Sequence, residues 1–163
     1  MQPVTESEIR TSFVNCTRGE SRRAHLPDDL DAQRWDDLDF LGWVDPRAPQ
    51  TAYLVVPRDA GLTGVRLRRN TASGRNARMC GLCATTHSGQ GATLMVANRA
   101  DQRGRDGNSV GLDLCADLRC SLRARDLVPA SASAPVRETL PVEGRVARLH
   151  RNLDAFVARV LSP

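Results

Sequence analysis

Lysine is missing from this chain of 163 residues: all 23 of its basic residues are arginine. That absence excludes a phosphate-binding loop with its lysine, a Schiff base and a lysine general base. A GC-rich genome is the plainest source of the bias. Aromatic residues are scarce too, at 4% of the chain. The core must therefore be built from Leu, Val and Ala, with Trp35, Phe40 and Trp43 as anchors, and such a core gains from a metal staple. No stretch approaches the roughly 18 apolar residues of a membrane span. The N-terminus has no basic segment followed by an apolar run, so no export signal is expected. A cytoplasmic protein with no membrane partner is the expectation, and the length suits one compact domain.

Cysteine is the residue that the chain does hold in a telling pattern. Four of its five cysteines form two close pairs, Cys80-Gly-Leu-Cys83 and Cys115 with Cys120. In a chain without an export signal such pairs are metal ligands rather than disulfides. Zinc takes four ligands at tetrahedral corners, and a C-x₂-C turn supplies two thiolates from one tight loop. Gly81 is expected to open that knuckle by adopting positive φ. A knuckle, a hairpin and then a helix bearing the second pair is the order of a treble clef, with Cys115 ending the hairpin and Cys120 in the first turns of the helix. Four thiolates close the coordination shell, so one structural zinc ion is the expected cofactor and no position remains for a reacting water. The competing reading is four reduced, metal-free core cysteines, which two tight pairs disfavour. His87 could in principle replace one sulfur; with four sulfurs available, it is expected to be a solvated loop residue. Cys16 has no partner at useful spacing and reads as a small half-buried residue.

Around this motif the pattern predicts an α+β fold: an antiparallel sheet, a treble-clef Cys₄ zinc finger, a short N-terminal helix and an amphipathic C-terminal helix. Thr5-Glu-Ser-Glu8 is a capping box, with Ile9 and Phe13 on the inner face of the helix it opens. A helical or turn segment starts at Pro27-Asp28-Asp29, with Leu30, Trp35 and Leu38 as anchors. Segments 40–44, 52–56 and 64–69 read as a three-strand meander, and Val65-Arg66-Leu67-Arg68 alternates as a half-wet strand does. Strands are expected at 92–97 and 109–114, a polar loop at 98–108 and a helix at 116–124. Pro129–Pro135 reads as a linker. Val142, Val146, Leu149, Leu153, Phe156 and Val160 then form a helical stripe that packs on the sheet. The expected organisation is 1–57 for the N-terminal helix and the start of the sheet, 58–128 for the zinc-finger lobe, and 129–163 for the linker and final helix.

Charge is unevenly placed. Residues 1–57 carry 6 arginines against 10 acids, a net of −4, while residues 58–125 carry 12 against 5, a net of +7. Four thiolates and one zinc ion would leave that middle segment at +5. A moderately basic lobe suits an acidic protein surface or RNA. Catalysis finds no footing. Gly107-Asn-Ser109-Val-Gly111 matches the nucleophile-elbow pattern, but an elbow needs a strand before the serine and a helix after it, and here a loop precedes and a strand follows. The three histidines are scattered. The expectation is a binding protein, not an enzyme, with no small-molecule substrate.

The residues Cys80-Gly-Leu-Cys83, Ala97-Asn98-Arg99, Gly104 to Gly111 and Cys115 to Cys120 together resemble the elongation factor G-binding, FusB-type family, whose C-terminal lobe is a Cys₄ treble-clef zinc finger. The resemblance is strongest over about residues 60–125. It implies binding of elongation factor G and promotion of its release from the ribosome, with Cys80, Cys83, Cys115 and Cys120 as zinc ligands. By the same resemblance the partner face lies at the knuckle and hairpin loop, on Leu82, Arg99, Arg103, Arg105, Asp106 and Asn108. That face carries no aromatic anchor here, so a housekeeping role is expected before drug resistance. The alternative is an RNA- or ribosome-binding zinc module using Arg66, Arg68, Arg69, Arg75, Arg78, Arg119, Arg123 and Arg125.

Overall fold

The computed structural model describes residues 1–71, 76–130 and 138–162. Its first helix, α1 (Glu6–Ser12), opens on the predicted capping box: the Thr5 hydroxyl accepts the Glu8 N–H at 3.3 Å and the Glu8 carboxylate accepts the Thr5 N–H at 2.7 Å. A second box, Thr17 with Glu20, opens α2 (Arg18–Arg23) in the same way. That helix was legible in the pattern T-R-G-E but no apolar run follows it to draw attention. Two 3₁₀ turns, Leu30–Ala32 and Trp35–Asp37, occupy the segment after Pro27.

The meander forms where the three β-rich segments predict it: β1 (Leu41–Val44), β2 (Thr51–Arg58) and β3 (Gly61–Arg69) pair antiparallel in sequence order. A two-residue ribbon follows, β4 (Arg78–Met79) against β5 (Thr86–His87). The sheet resumes with β6 (Ala92–Asn98) and β7 (Ser109–Cys115), giving the order β1-β2-β3-β6-β7. Among the described residues just two register pairs, Arg68↔Val96 and Arg69↔Met95, join β3 to β6. Beyond them Asn70 N–H is bonded to Leu94 O at 2.9 Å, and the Asn15 amide bridges Arg66 O and Asn98 O at 3.0 Å each, so the sheet is stitched thinly at its middle.

The 98–108 segment is not the irregular loop expected. It contains one helical turn, α3 (Asp101–Arg105), which Gly104 makes possible: a Cβ there would sit 1.8 Å from the Arg99 carbonyl oxygen. The helix expected at 116–124 is shorter as well. Residues 116–119 form a tight turn in which Leu118 takes φ 57, and α4 runs only over Cys120–Ala124. The chain ends in α5 (Val142–Leu161). Most of the expected linker lies outside the described residues, as does Arg75.

Two apolar layers form on opposite faces of the sheet. Ala52, Leu54 and Val56 of β2, Val65 and Leu67 of β3, Met95 and Ala97 of β6, and Val110 and Leu114 of β7 face the zinc-finger cysteines and α5. On the other face Leu41, Trp43, Tyr53 and Val55 meet Ile9 and the N-terminal segment. This is why residues 51–56 are buried without alternation: β2 is covered on both sides. The final helix buries Leu149, Leu153, Phe156 and Val160 as the stripe requires, and Val157 with them. Each such side chain removed from water contributes about 1.5–3 kcal/mol before entropy is counted. Val142 and Val146 are only half-buried. Among the described residues no helix is long and apolar enough to cross a membrane.

Candidate metal centre

Cys80, Cys83, Cys115 and Cys120 converge in the layer between the sheet and α5. All four are buried, and their Sγ atoms lie within 4.8 Å of one another. Cys80 and Cys120 are 3.7 Å apart and Cys83 and Cys115 are 3.5 Å apart, sulfur to sulfur. A tetrahedron with Zn–S bonds of about 2.3 Å has edges of about 3.8 Å, so these separations are close to what one zinc ion needs.

Local structure explains the convergence. The β4–β5 ribbon closes over the first pair, with Cys80 N–H bonded to Thr85 O at 2.9 Å and Ala84 N–H to Cys80 O at 2.9 Å. The positive φ expected at Gly81 falls instead on Ala84, at 62°. Gly81 is required by close approach: a Cβ would meet the Leu112 side chain at 2.5 Å, and its N–H donates to Asp113 O of β7 at 2.7 Å. Cys115 is the last residue of β7 and Cys120 the first of α4, so a strand end and a helix start present the second pair.

The donor set fits zinc on chemistry as well as geometry. Packed thiols cannot all ionise unaided. Hydrogen bonds from Cys115 and Cys120 hold Cys83 far below the ordinary thiol value, while bonds to Cys115, Cys80 and Cys83 push Cys120 well above it. A dication removes that conflict by stabilising every thiolate. With four sulfurs bound, the chain holds one structural zinc, and its shell has no position left for a reacting water.

Further groups face the sulfurs. Leu82 N–H points to Cys80 Sγ at 3.4 Å and the Thr85 hydroxyl lies 3.2 Å from Cys83 Sγ. His87 is not the solvated loop residue that its spacing implied: it is 0% exposed, and its Nε2 lies 3.3 Å from Cys115 Sγ. Its place in β5 takes it inward. Arg123, one turn into α4, is also nearly buried and forms a two-pronged bond to Asp117 at 2.7 and 2.9 Å. From the other side α5 grips the knuckle backbone, with Arg148 donating to Cys83 O and Asn152 to Leu82 O, each at 2.9 Å.

These contacts rearrange the expected partner face. Leu82 is 0% exposed and packs in the core, so its side chain offers nothing to a partner in this state. The apolar group that the knuckle ribbon does show to solvent is Met79, 60% exposed. Arg99 is half-buried and spent on α5, donating to Arg159 O at 2.9 Å and Ser162 O at 3.3 Å. Arg103, Arg105, Asp106 and Asn108 are exposed together on the α3 turn. Arg105 and Asp106 there bond to Gln102, at 2.9 and 2.7 Å.

The arginine face of the RNA alternative is mostly engaged within the chain. Arg66 pairs with Glu20, Arg78 with Asp113, Arg123 with Asp117 and Arg125 with Asp39, while Arg69 donates to Pro49 O at 2.6 Å. Arg68 and Arg119 remain exposed. Nor does an elbow form: Ser109 opens β7 after a turn at Gly107, and His150 bonds to Asp39 at 2.7 Å instead.

The family model described as FBP C-terminal treble-clef zinc-finger matches residues 8–160. Among solved structures, that of the fusidic acid resistance protein FusC shares the fold with a TM-score of 0.62 at 13% identity, over 97% of this chain. The chain spans 59% of the length of FusC. A search of curated proteins gives no match.

Proposed function

The chain belongs to the FBP C-terminal treble-clef zinc-finger family, and from that premise we propose that it is a zinc-stabilised binding protein that engages translation elongation factor G and promotes its release from the ribosome. The observation that carries this reading is the way one helix ties the zinc knuckle to the α3 turn. Arg148 and Asn152 of α5 hold the knuckle carbonyls, and the carbonyls at the end of α5 are held by Arg99, with Ala100 N–H bonded to Val160 O at 2.9 Å. From Arg148 to Arg159 the helix rises about 17 Å. Knuckle and turn are thus fixed at a set separation, which is what a preorganised recognition surface requires.

On this surface Arg103 and Arg105 meet acidic groups of the factor and steer its approach, with Asp106 and Asn108 setting orientation. Met79 supplies apolar burial that Leu82, inside the core, does not. The basic charge of the lobe and the engagement of most of its arginines within the chain favour a protein partner over nucleic acid, for which a continuous row of free cations is needed.

Calorimetry of the zinc-loaded protein with RNase-treated elongation factor G from the same source tests the reading. A stoichiometric complex is expected. Arg103→Glu combined with Arg105→Glu should weaken it at least tenfold, with bound zinc and thermal midpoint unchanged. An unaltered affinity would remove the α3 turn from the interface. No complex with the wild-type protein, and binding to ribosomal RNA that falls log-linearly with salt, would replace the factor by RNA.

A further inference from the structure

Zinc with four thiolates carries a net charge of −2, and the four cysteines that would hold it are 0–2% exposed. Burial of uncompensated charge is costly, so hydrogen-bond donors to the sulfurs decide how well the ion is held. Leu82 N–H and the Thr85 hydroxyl serve Cys80 and Cys83, but both come from the knuckle's own turn, two residues from the sulfur they face. His87 reaches across 28 residues of sequence to Cys115, in the other half of the ligand set.

The ring is well fixed for this. His87 is fully buried, and β5 holds its backbone opposite Arg78 of β4. A coordinated sulfur has no proton to give. A nitrogen 3.3 Å from it is therefore an attractive neighbour only if that nitrogen carries the hydrogen. We propose that His87 is a positioning residue of the zinc centre, donating its Nε2–H to the Cys115 thiolate and so offsetting the negative charge of the cluster and orienting the strand-end ligand. The cluster gains a donor that its two cysteine pairs do not supply, and the β4–β5 ribbon becomes part of the metal site rather than a mere carrier of Cys80 and Cys83. This rests on the metal centre and is independent of which partner the protein binds.

Two variants separate donation from packing. His87→Phe keeps the bulk and loses the donor, while His87→Gln keeps a side-chain N–H. Zinc affinity of the full chain, measured by competition with a chromophoric chelator, should fall about 10- to 100-fold in His87→Phe. Most of that loss should be recovered in His87→Gln, and the sulfur-to-metal charge-transfer band of the cobalt-substituted protein should move in the first variant and return in the second. Equal affinities in all three proteins, or equal losses in both variants, would overturn the proposal. The wild-type chain loaded with ¹¹³Cd gives a second measure that does not depend on the folding of His87→Phe. A scalar coupling between the His87 Hε2 proton and the metal is expected; an Nε2 without a proton would overturn the proposal.

Discussion

At the scale of single residues the metal centre is governed by the difference between sulfur and oxygen. Cys83→Ser changes one atom, yet a serine hydroxyl does not ionise near neutral pH and is a poor ligand for zinc beside three thiolates. Binding free energy at such a site is also folding free energy. The variant is therefore expected to lose its zinc and the cooperative melting of the zinc-finger lobe together, as read by metal analysis and by circular dichroism on heating. A variant that kept its fold without zinc would show that core packing alone holds the lobe. The four ligands were legible in the sequence because C-x₂-C and C-x₄-C spacings are local and the chemistry of zinc is narrow. Their neighbours were not. His87 sits four residues beyond Cys83, but its side-chain direction depends on pairing with Arg78, which no spacing rule reports. The same holds for Leu82. An apolar residue at the tip of a knuckle reads as exposed until a distant helix is known to cover it.

At the scale of elements, Asp39 joins three pieces of chain. It precedes β1, its side chain is 4% exposed, and it accepts from Arg125 just past α4 at 2.6 and 2.9 Å and from His150 of α5 at 2.7 Å. Burial pushes its carboxyl upward, but the bonds from Arg125 and His150 outweigh burial and hold it below the usual carboxylate value. A group depressed in the folded state contributes stability that is fully present above its unfolded value of about 3.9 and is lost as pH falls through the lower folded value. Asp39→Asn should cost about 2–3 kcal/mol at neutral pH. That is less than the roughly 3–5 kcal/mol of a fully buried pair, because the Arg125 side chain is 20% exposed. The gap between wild type and variant should close below about pH 4. Thermal midpoints measured from pH 3 to pH 7 test this, and a constant gap would place the effect elsewhere. None of this link was visible beforehand, since Asp39 and His150 are 111 positions apart. What was visible at this scale was local pattern: the five strands of the main sheet lie where short runs of β-formers between turns put them, and the last helix where the i, i+3, i+4 stripe does, whereas the β4–β5 ribbon left no such trace. Short turns such as α3 depend on a single close approach, at Gly104, and leave no periodic trace.

At the scale of the whole molecule the sheet separates two apolar layers that differ in what sustains them. The zinc-side layer includes all four ligand cysteines, and its α5 lid is bonded directly to the knuckle carbonyls of Leu82 and Cys83. The opposite layer contains no ligand and is organised around Trp43 stacked on Tyr53 at 4.9 Å, with Phe13 against Tyr53 at 5.4 Å. The thin join between β3 and β6 gives the two halves of the sheet some freedom to lose order separately. Removing zinc with a strong chelator should therefore act unevenly. Amide exchange should rise over residues 78–88 and 115–124 and through the first half of α5, where the Arg148 and Asn152 bonds lose their anchor. The Trp43–Tyr53 region of β1 and β2 should keep most of its protection, because its layer buries apolar surface without the metal. Hydrogen exchange followed by mass spectrometry in the loaded and stripped states resolves these segments. Uniform loss of protection along the chain would mean instead that the meander has no stability of its own and that one ion organises both faces of the sheet.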